Sequence, residues 1–265
     1  MNVIIMTDLE GVSGVDSFEM IQKKENPEGY RFACSRLMTD LNAAVDGCLD
    51  AGAENIWVMD YHGGGGNFIK EMLHPRACQI TMNEWAEMSK AHTYDAYMEV
   101  GCHSMAGTLN GFLDHTRTSK SWFSFEINGR PFGEIGLGAV FCGAYDIPMV
   151  MVSGDAAACQ EARSFLGDIS TACVKYGIGR NNARLEPQEK AVEYIRSAAA
   201  EGIRRADRIR PLKIPLPFEV KLTLYRTDMA DRVMQQCSDA ERLDARTVRR
   251  MITKLDHYTD MFFDK

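Results

Sequence analysis

Apolar residues fall along this chain in short unbroken runs separated by longer amphipathic stretches. The runs are 2–7 ("NVIIMT"), 55–60 ("NIWVMD"), 78–82 ("CQITM"), 96–101 ("AYMEVG"), 122–127 ("WFSFEI") and 147–155 ("IPMVMVSGD"). Their lengths suit strands, and the lack of polar alternation in most of them means burial on both faces. Between the first two, 31–50 reads as a helix: Leu37, Leu41, Ala44, Val45, Cys48 and Leu49 recur at helical spacing, and Gly52 stops it. Doubly buried strands alternating with helices predict an α/β fold, three layers α/β/α around a mostly parallel, mixed sheet.

Two stretches depart from that rhythm. Asn128-Gly129 between "WFSFEI" and "RPF" predicts a tight turn with local antiparallel pairing. A helix follows Pro187 as far as Arg205, and then "IRPLKIPLPF" at 209–218, with three prolines, reads as a linker. Beyond it an alternating strand, "EVKLTLY", precedes two helical segments. The expected organisation is a core over 1–212 and a small C-terminal α+β subdomain over 213–265 packed on it.

Length and charge narrow the function classes. The 265 residues suffice to bury a hydrophobic core without disulfides. With 37 acidic against 30 basic residues, a net charge of −7 and no dense Lys/Arg cluster, neither nucleic acid nor an anionic membrane is an expected partner. The apolar start before Asp8 is too short for a signal peptide or a membrane span, so the expected location is cytoplasmic. Eight cysteines without a C-x-x-C pair read as reduced, packed thiols. Cys102, beside His103, is the one position where a nucleophilic reading competes with packing.

In open α/β sheets ligands bind beyond the carboxyl ends of the strands. The first strand there delivers Asp8 and Glu10, two residues apart and so on one side of extended chain. The second delivers Asp60 and His62 ahead of four glycines, Gly63 to Gly66; the "YMEVGCHS" strand delivers His103, and "RPFGEIGLG" delivers Glu134. Each residue alone has an ordinary reading, as a helix cap or a solvated loop residue. Together, the three carboxylates Asp8, Glu10 and Glu134 and the two histidines His62 and His103, from different strands, look like a metal site. The glycine run lacks the Lys and Ser/Thr of a phosphate loop and reads as a flexible loop admitting close approach of backbone to ligand. His115, in the polar loop "NGFLDHTRTSKS", is a candidate acid, base or nucleophile; His74, His92 and His257 read as structural or solvated. Lys175, after "ISTACV", reads by default as a surface lysine, with a strand-end cation as the alternative.

Two family resemblances follow from these residues. "VIIMTDLEG" resembles the opening of the haloacid-dehalogenase phosphatases, and "VSGDAAA" at 152–158 their later acidic motif. Glu10 stands where that family has a second Asp, and the family leaves His62, His103 and Glu134 unexplained. A second resemblance spans nearly the whole chain: "TDLEG" (7–11), "MDYH" (59–62), "GCH" (101–103), "DHTRT" (114–118), "GEIGLG" (133–138) and "MVSGD" (151–155) are similar, in order and residue type, to the bacterial zinc D-aminopeptidases of the DppA type. That resemblance implies two zinc ions per subunit held by Asp8, Glu10, His62, His103 and Glu134, with Asp8 between them. It also implies His115 at the position of the catalytic nucleophile, and a ring-shaped homodecamer taking short peptides. Thr7, Met59, Tyr61, Cys102 and Gly138 depart from the family pattern without removing a ligand.

Three functions then compete. A metal-dependent aminopeptidase hydrolyses short peptides from the N-terminus, because metals that activate water and polarise a carbonyl meet the demands of amide hydrolysis. A magnesium phosphatase uses Asp8 as nucleophile and loses little with His62→Ala. A non-catalytic metal-binding protein closes the coordination sphere.

Overall fold

The computed structural model describes residues 1–263. In chain order the elements are β1 (Asn2–Thr7), α1 (Pro27–Asp50), β2 (Asn55–Asp60), β3 (Ala77–Gln79), α2 (Met82–Lys90) and β4 (Ala96–Cys102). There follow β5 (Trp122–Ile127), β6 (Arg130–Pro131), α3 (Glu134–Gly143), β7 (Met149–Asp155), α4 (Ala156–Leu166), β8 (Ser170–Gly179), β9 (Asn182–Leu185) and α5 (Gln188–Arg204). The chain closes with β10 (Phe218–Leu224), α6 (Thr227–Gln236), β11 (Glu241–Arg242) and β12 (Thr247–Ile252).

A seven-stranded sheet of order β3-β2-β1-β4-β7-β8-β9 carries the molecule, parallel except for its last strand. Both faces of its centre are covered, which is why β1, β4 and β7 are buried along nearly their whole length. From β1, Val3 and Ile5 pack with α1 and α5, while Ile4 and Met6 pack on the other side with α2 and α3. Trp85 of α2 anchors that second side, stacked on Tyr97 of β4 at 5.3 Å and donating to the Tyr94 hydroxyl at 2.9 Å. The mixed α/β fold expected from the sequence is the one found.

Local chemistry sets the element ends. Asn26 accepts from Gly29 N and Pro27 occupies the first turn, so α1 starts four residues before the helix expected over 31–50. The run at 78–82 is not all strand. Thr81 and Glu84 form a reciprocal cap, which begins α2 at Met82 and leaves β3 only three residues.

The strand at 122–127 leaves the parallel sheet altogether. With β6 it joins a second, antiparallel sheet of order β11-β12-β10-β5-β6, whose inner residues Phe125, Ile127, Val220, Leu222 and Val248 cover α2 and α3. The turn expected at Asn128-Gly129 joins β5 to β6. Of the two helical segments expected after β10, the first is α6 and the second is β12, paired antiparallel with β10. Its "VRRM" centre hides the strand pattern because Arg250 is buried, its guanidinium donating to Phe262 O at 2.7 Å. The strands within 218–252 thus share their sheet with 122–131 from the middle of the chain.

Candidate metal centre

The strand order reverses between β1 and β4, with β2 and β3 on one side and β7 and β8 on the other. A crevice opens at such a switch point, beyond the carboxyl ends of the strands. Asp8 and Glu10 follow β1, His62 follows β2 and His103 follows β4. Glu134 arrives as the first residue of α3, where the helix N-terminus favours a carboxylate. All five sequence-predicted ligands therefore meet, and His115 joins them from the loop after β4.

The contacts are direct. His62 Nδ1 lies 3.1 Å from Asp8 Oδ1 and 2.9 Å from Glu10 Oε2. His103 Nε2 lies 3.3 Å from Asp8 Oδ2 and 3.4 Å from Glu134 Oε1, and His115 Nε2 is 3.8 Å from the same Glu134 oxygen. The two oxygens of Asp8 thus serve different histidines. Backbone donors fix the carboxylates: Leu9 N donates to Asp8 Oδ1 at 2.8 Å, and Arg117 N to Glu134 Oε1 at 2.7 Å.

The electrostatics follow from burial and crowding. Burial works against the charged forms of Asp8 and Glu134, yet close contacts with the charged histidines, His103 foremost, hold both carboxyls below their usual range. Burial likewise opposes the His62 cation, but Glu10 and Asp8 push its imidazole up to about 11. His103 is raised by Asp8 and Glu134 against the same burial. Such mutual stabilisation is what a set of metal donors shows in the protein alone.

The donor set fits a divalent cation such as zinc. His103 faces the Ser104 carbonyl through Nδ1 at 2.9 Å, which directs Nε2 inward, where it is buried between the Asp8 and Glu134 carboxylates without a well-aligned hydrogen bond to either. Among the described residues two triplets bring their donor atoms within 4.8 Å of one another: Asp8, Glu10 and His103, and His103, His115 and Glu134. Imidazole and carboxylate are zinc's own ligand types. A cleft of about 790 Å³ opens onto the cluster, walled by Tyr61, Arg117 and the glycine loop Gly63 to Gly66. That loop runs at positive φ throughout, and Asp60 secures its end by accepting from Asn67 N at 2.6 Å and Asn67 Nδ2 at 2.8 Å. Asp60 is therefore a loop anchor.

Other residues take roles the sequence left open. Cys102 is a packed thiol, donating to Glu99 Oε2 at 3.2 Å, with burial holding its pKa well up. Lys175 is not on the surface: it is fully buried, and desolvation pushes its pKa down to about 7. The pairing of β7 with β8 shifts register between Gly154 and Asp155, which turns Lys175 inward directly after buried Val174. Glu99 and Glu161, also buried, carry no sequence signal, since each sits within an otherwise regular strand or helix.

Fold and donor cluster together define an α/β enzyme of the metallohydrolase class. The pattern of the D-aminopeptidase family, peptidase M55, matches residues 1–263. The D-aminopeptidase of Bacillus subtilis (strain 168) is 30% identical over 221 residues, covering 81% of this chain and 78% of that protein. The solved structure of the Zn-dependent D-aminopeptidase DppA from Bacillus subtilis, described as a self-compartmentalizing protease, aligns with a TM-score of 0.90 at 24% identity, covering 98% of this chain and 95% of that one. The chain belongs to the D-aminopeptidase family.

Proposed function

We propose that this protein is a zinc-dependent aminopeptidase that removes N-terminal residues, D-residues included, from short peptides at a two-zinc centre. The observation that carries the reading is His103 Nε2: a buried imidazole nitrogen set between the Asp8 and Glu134 carboxylates at 3.3 and 3.4 Å without a well-aligned hydrogen bond to either, and common to both donor triplets. Asp8, Glu10, His62, His103 and Glu134 would hold the metal, with Asp8 between the two positions. Zinc bound there supplies Lewis acidity toward the scissile carbonyl and activation of water near neutral pH.

The chain's own residues do the rest. His115 Nδ1 donates to Leu113 O at 2.8 Å, which sets the ring's tautomer and leaves Nε2 facing the cleft to attack or to carry a proton. A cleft of about 790 Å³ suits a short peptide, within the usual range of about 300–1,000 Å³ for ligand sites. The phosphatase reading needs one free Asp8 oxygen as nucleophile, whereas both oxygens face histidines. Similarity to a self-compartmentalizing protease supports a homo-oligomer, which we take to be the homodecamer implied by the family resemblance, working in the cytoplasm. Among the described residues no helix is long and apolar enough to cross a membrane.

Elemental analysis alongside hydrolysis of matched D- and L-alanyl dipeptides tests the reading. About two zinc ions per chain and release of free D-alanine are expected. Protein that carries no zinc after reconstitution, or that cleaves neither dipeptide, would sink it.

A further inference from the structure

Lys175 is a charged side chain that the proposed chemistry does not use and that packing does not explain. An aliphatic residue of similar length would fill its space without the cost of desolvating an ammonium group. Its Nζ donates to Glu10 O at 2.7 Å and Val15 O at 2.6 Å, and lies 4.6 Å from the centre of the Phe112 ring. Asp155 and Asp40 stand near enough to support its charge.

These contacts join both halves of the centre. The two carbonyls bracket residues 10–15, the turn that begins with the ligand Glu10. The same turn is held by Gly11 N donating to Gly101 O at 2.8 Å, and by Ser13, whose N and Oγ donate to the Asp40 carboxylate at 2.7 and 2.5 Å. Phe112, under the ammonium, starts the segment leading to His115, and its N donates to Asp155 Oδ2 at 2.9 Å. Without the ammonium, two inward carbonyls lose their donor.

We infer that Lys175 is a positioning residue for the metal centre: by clamping the carbonyls of Glu10 and Val15 it sets the Glu10 carboxylate against His62. This rests on the proposed zinc centre, and two readouts keep the claims apart. One is zinc affinity, measured by competition with a chromophoric chelator; the other is hydrogen exchange of amides 9–16 in zinc-free protein. Lys175→Met is expected to bind zinc about 10–100-fold more weakly, as loss of an outer support does, and to exchange those amides faster. Ile195→Ala, in the core between α5 and the sheet, lowers stability without touching the turn and should keep wild-type zinc affinity.

Should Lys175→Met fail to fold, Lys175→Gln carries the comparison; its two amide donors keep part of the clamp, and zinc affinity between wild type and severe loss is expected. Wild-type affinity and protection in the lysine variants would overturn the inference, as would an equal affinity loss in Ile195→Ala. Wild-type protein that binds no zinc defeats the zinc reading and the metal-positioning role with it, while the exchange data still report on the clamp alone.

Discussion

His115 lies face to face with His103, ring centroids 3.9 Å apart and planes 14° from parallel. The stack holds the His115 ring at the edge of the donor cluster, with Nε2 3.8 Å from Glu134 Oε1. His115→Ala should therefore lower kcat by about 10²–10⁴, the usual span for a lost acid–base group, while both zinc ions stay bound. Steady-state kinetics with metal analysis on one preparation decides it. Loss of one zinc equivalent would recast His115 as a ligand, in keeping with its place in the second triplet.

Asp8 offers one oxygen to His62 and the other to His103. A residue so placed between two donor groups would control both of the proposed metal positions, whereas Glu134 touches only the side of His103 and His115. Asp8→Asn should therefore abolish zinc binding at both positions, and Glu134→Gln at one. Stripping the wild-type protein with a chelator should silence it, and added zinc should restore it. Equal zinc stoichiometry in the two variants would refute the bridging role.

Glu99 is buried, accepting from Tyr97 OH at 2.9 Å and the Cys102 thiol at 3.2 Å. Burial, reinforced by the charges of Glu134 and Asp8, pushes its pKa from 4.5 up to about 8. Between those two values the unfolded chain has lost the proton and the folded chain keeps it, so stability falls as pH rises through the window. The slope contributed is up to about 1.4 kcal/mol per pH unit. Glu99→Gln, uncharged throughout, should flatten that fall in chelator-stripped protein. Urea midpoints at pH 5 and pH 8 measure it, and a parallel fall in the variant would count against the assignment.

Much of this was legible in the sequence because strand ends carry their chemistry locally. "TDLEG", "MDYH" and "GCH" each follow a doubly buried run, and the fold needs only to bring those ends together. What was hidden depends on partners distant in sequence. β5 looks like another core strand until β10 claims it, 91 residues on in the Asn128–Glu219 contacts. Arg250 masks β12 because a buried arginine mimics a solvent-facing one in sequence. Lys175 turns inward through a register shift between β7 and β8 that one strand's sequence does not encode.

The tightest point of the assembly is Gly11, the turn that carries the chain away from Glu10. A Cβ built there would stand 1.8 Å from Cys102 O, which belongs to β4 just ahead of His103. A Cβ built on Gly154 of β7 would likewise stand 2.2 Å from that carbonyl, so β7 leaves the oxygen no room to retreat. Gly11→Ala must therefore push β1 and β4 apart at the site where Asp8 and His103 have to meet. The expected result is failure to fold, or a loss of at least about 4 kcal/mol with zinc affinity falling in step. Gly64→Ala makes the contrast: its φ of 87° strains an alanine, but nothing lies within 4 Å of the added carbon. It should cost only the left-handed backbone penalty of about 1–2 kcal/mol. Urea unfolding of the two variants separates steric closure from backbone strain, and a Gly11→Ala protein as stable as Gly64→Ala would show that β4 can yield, so that glycine is not what lets the ligands converge.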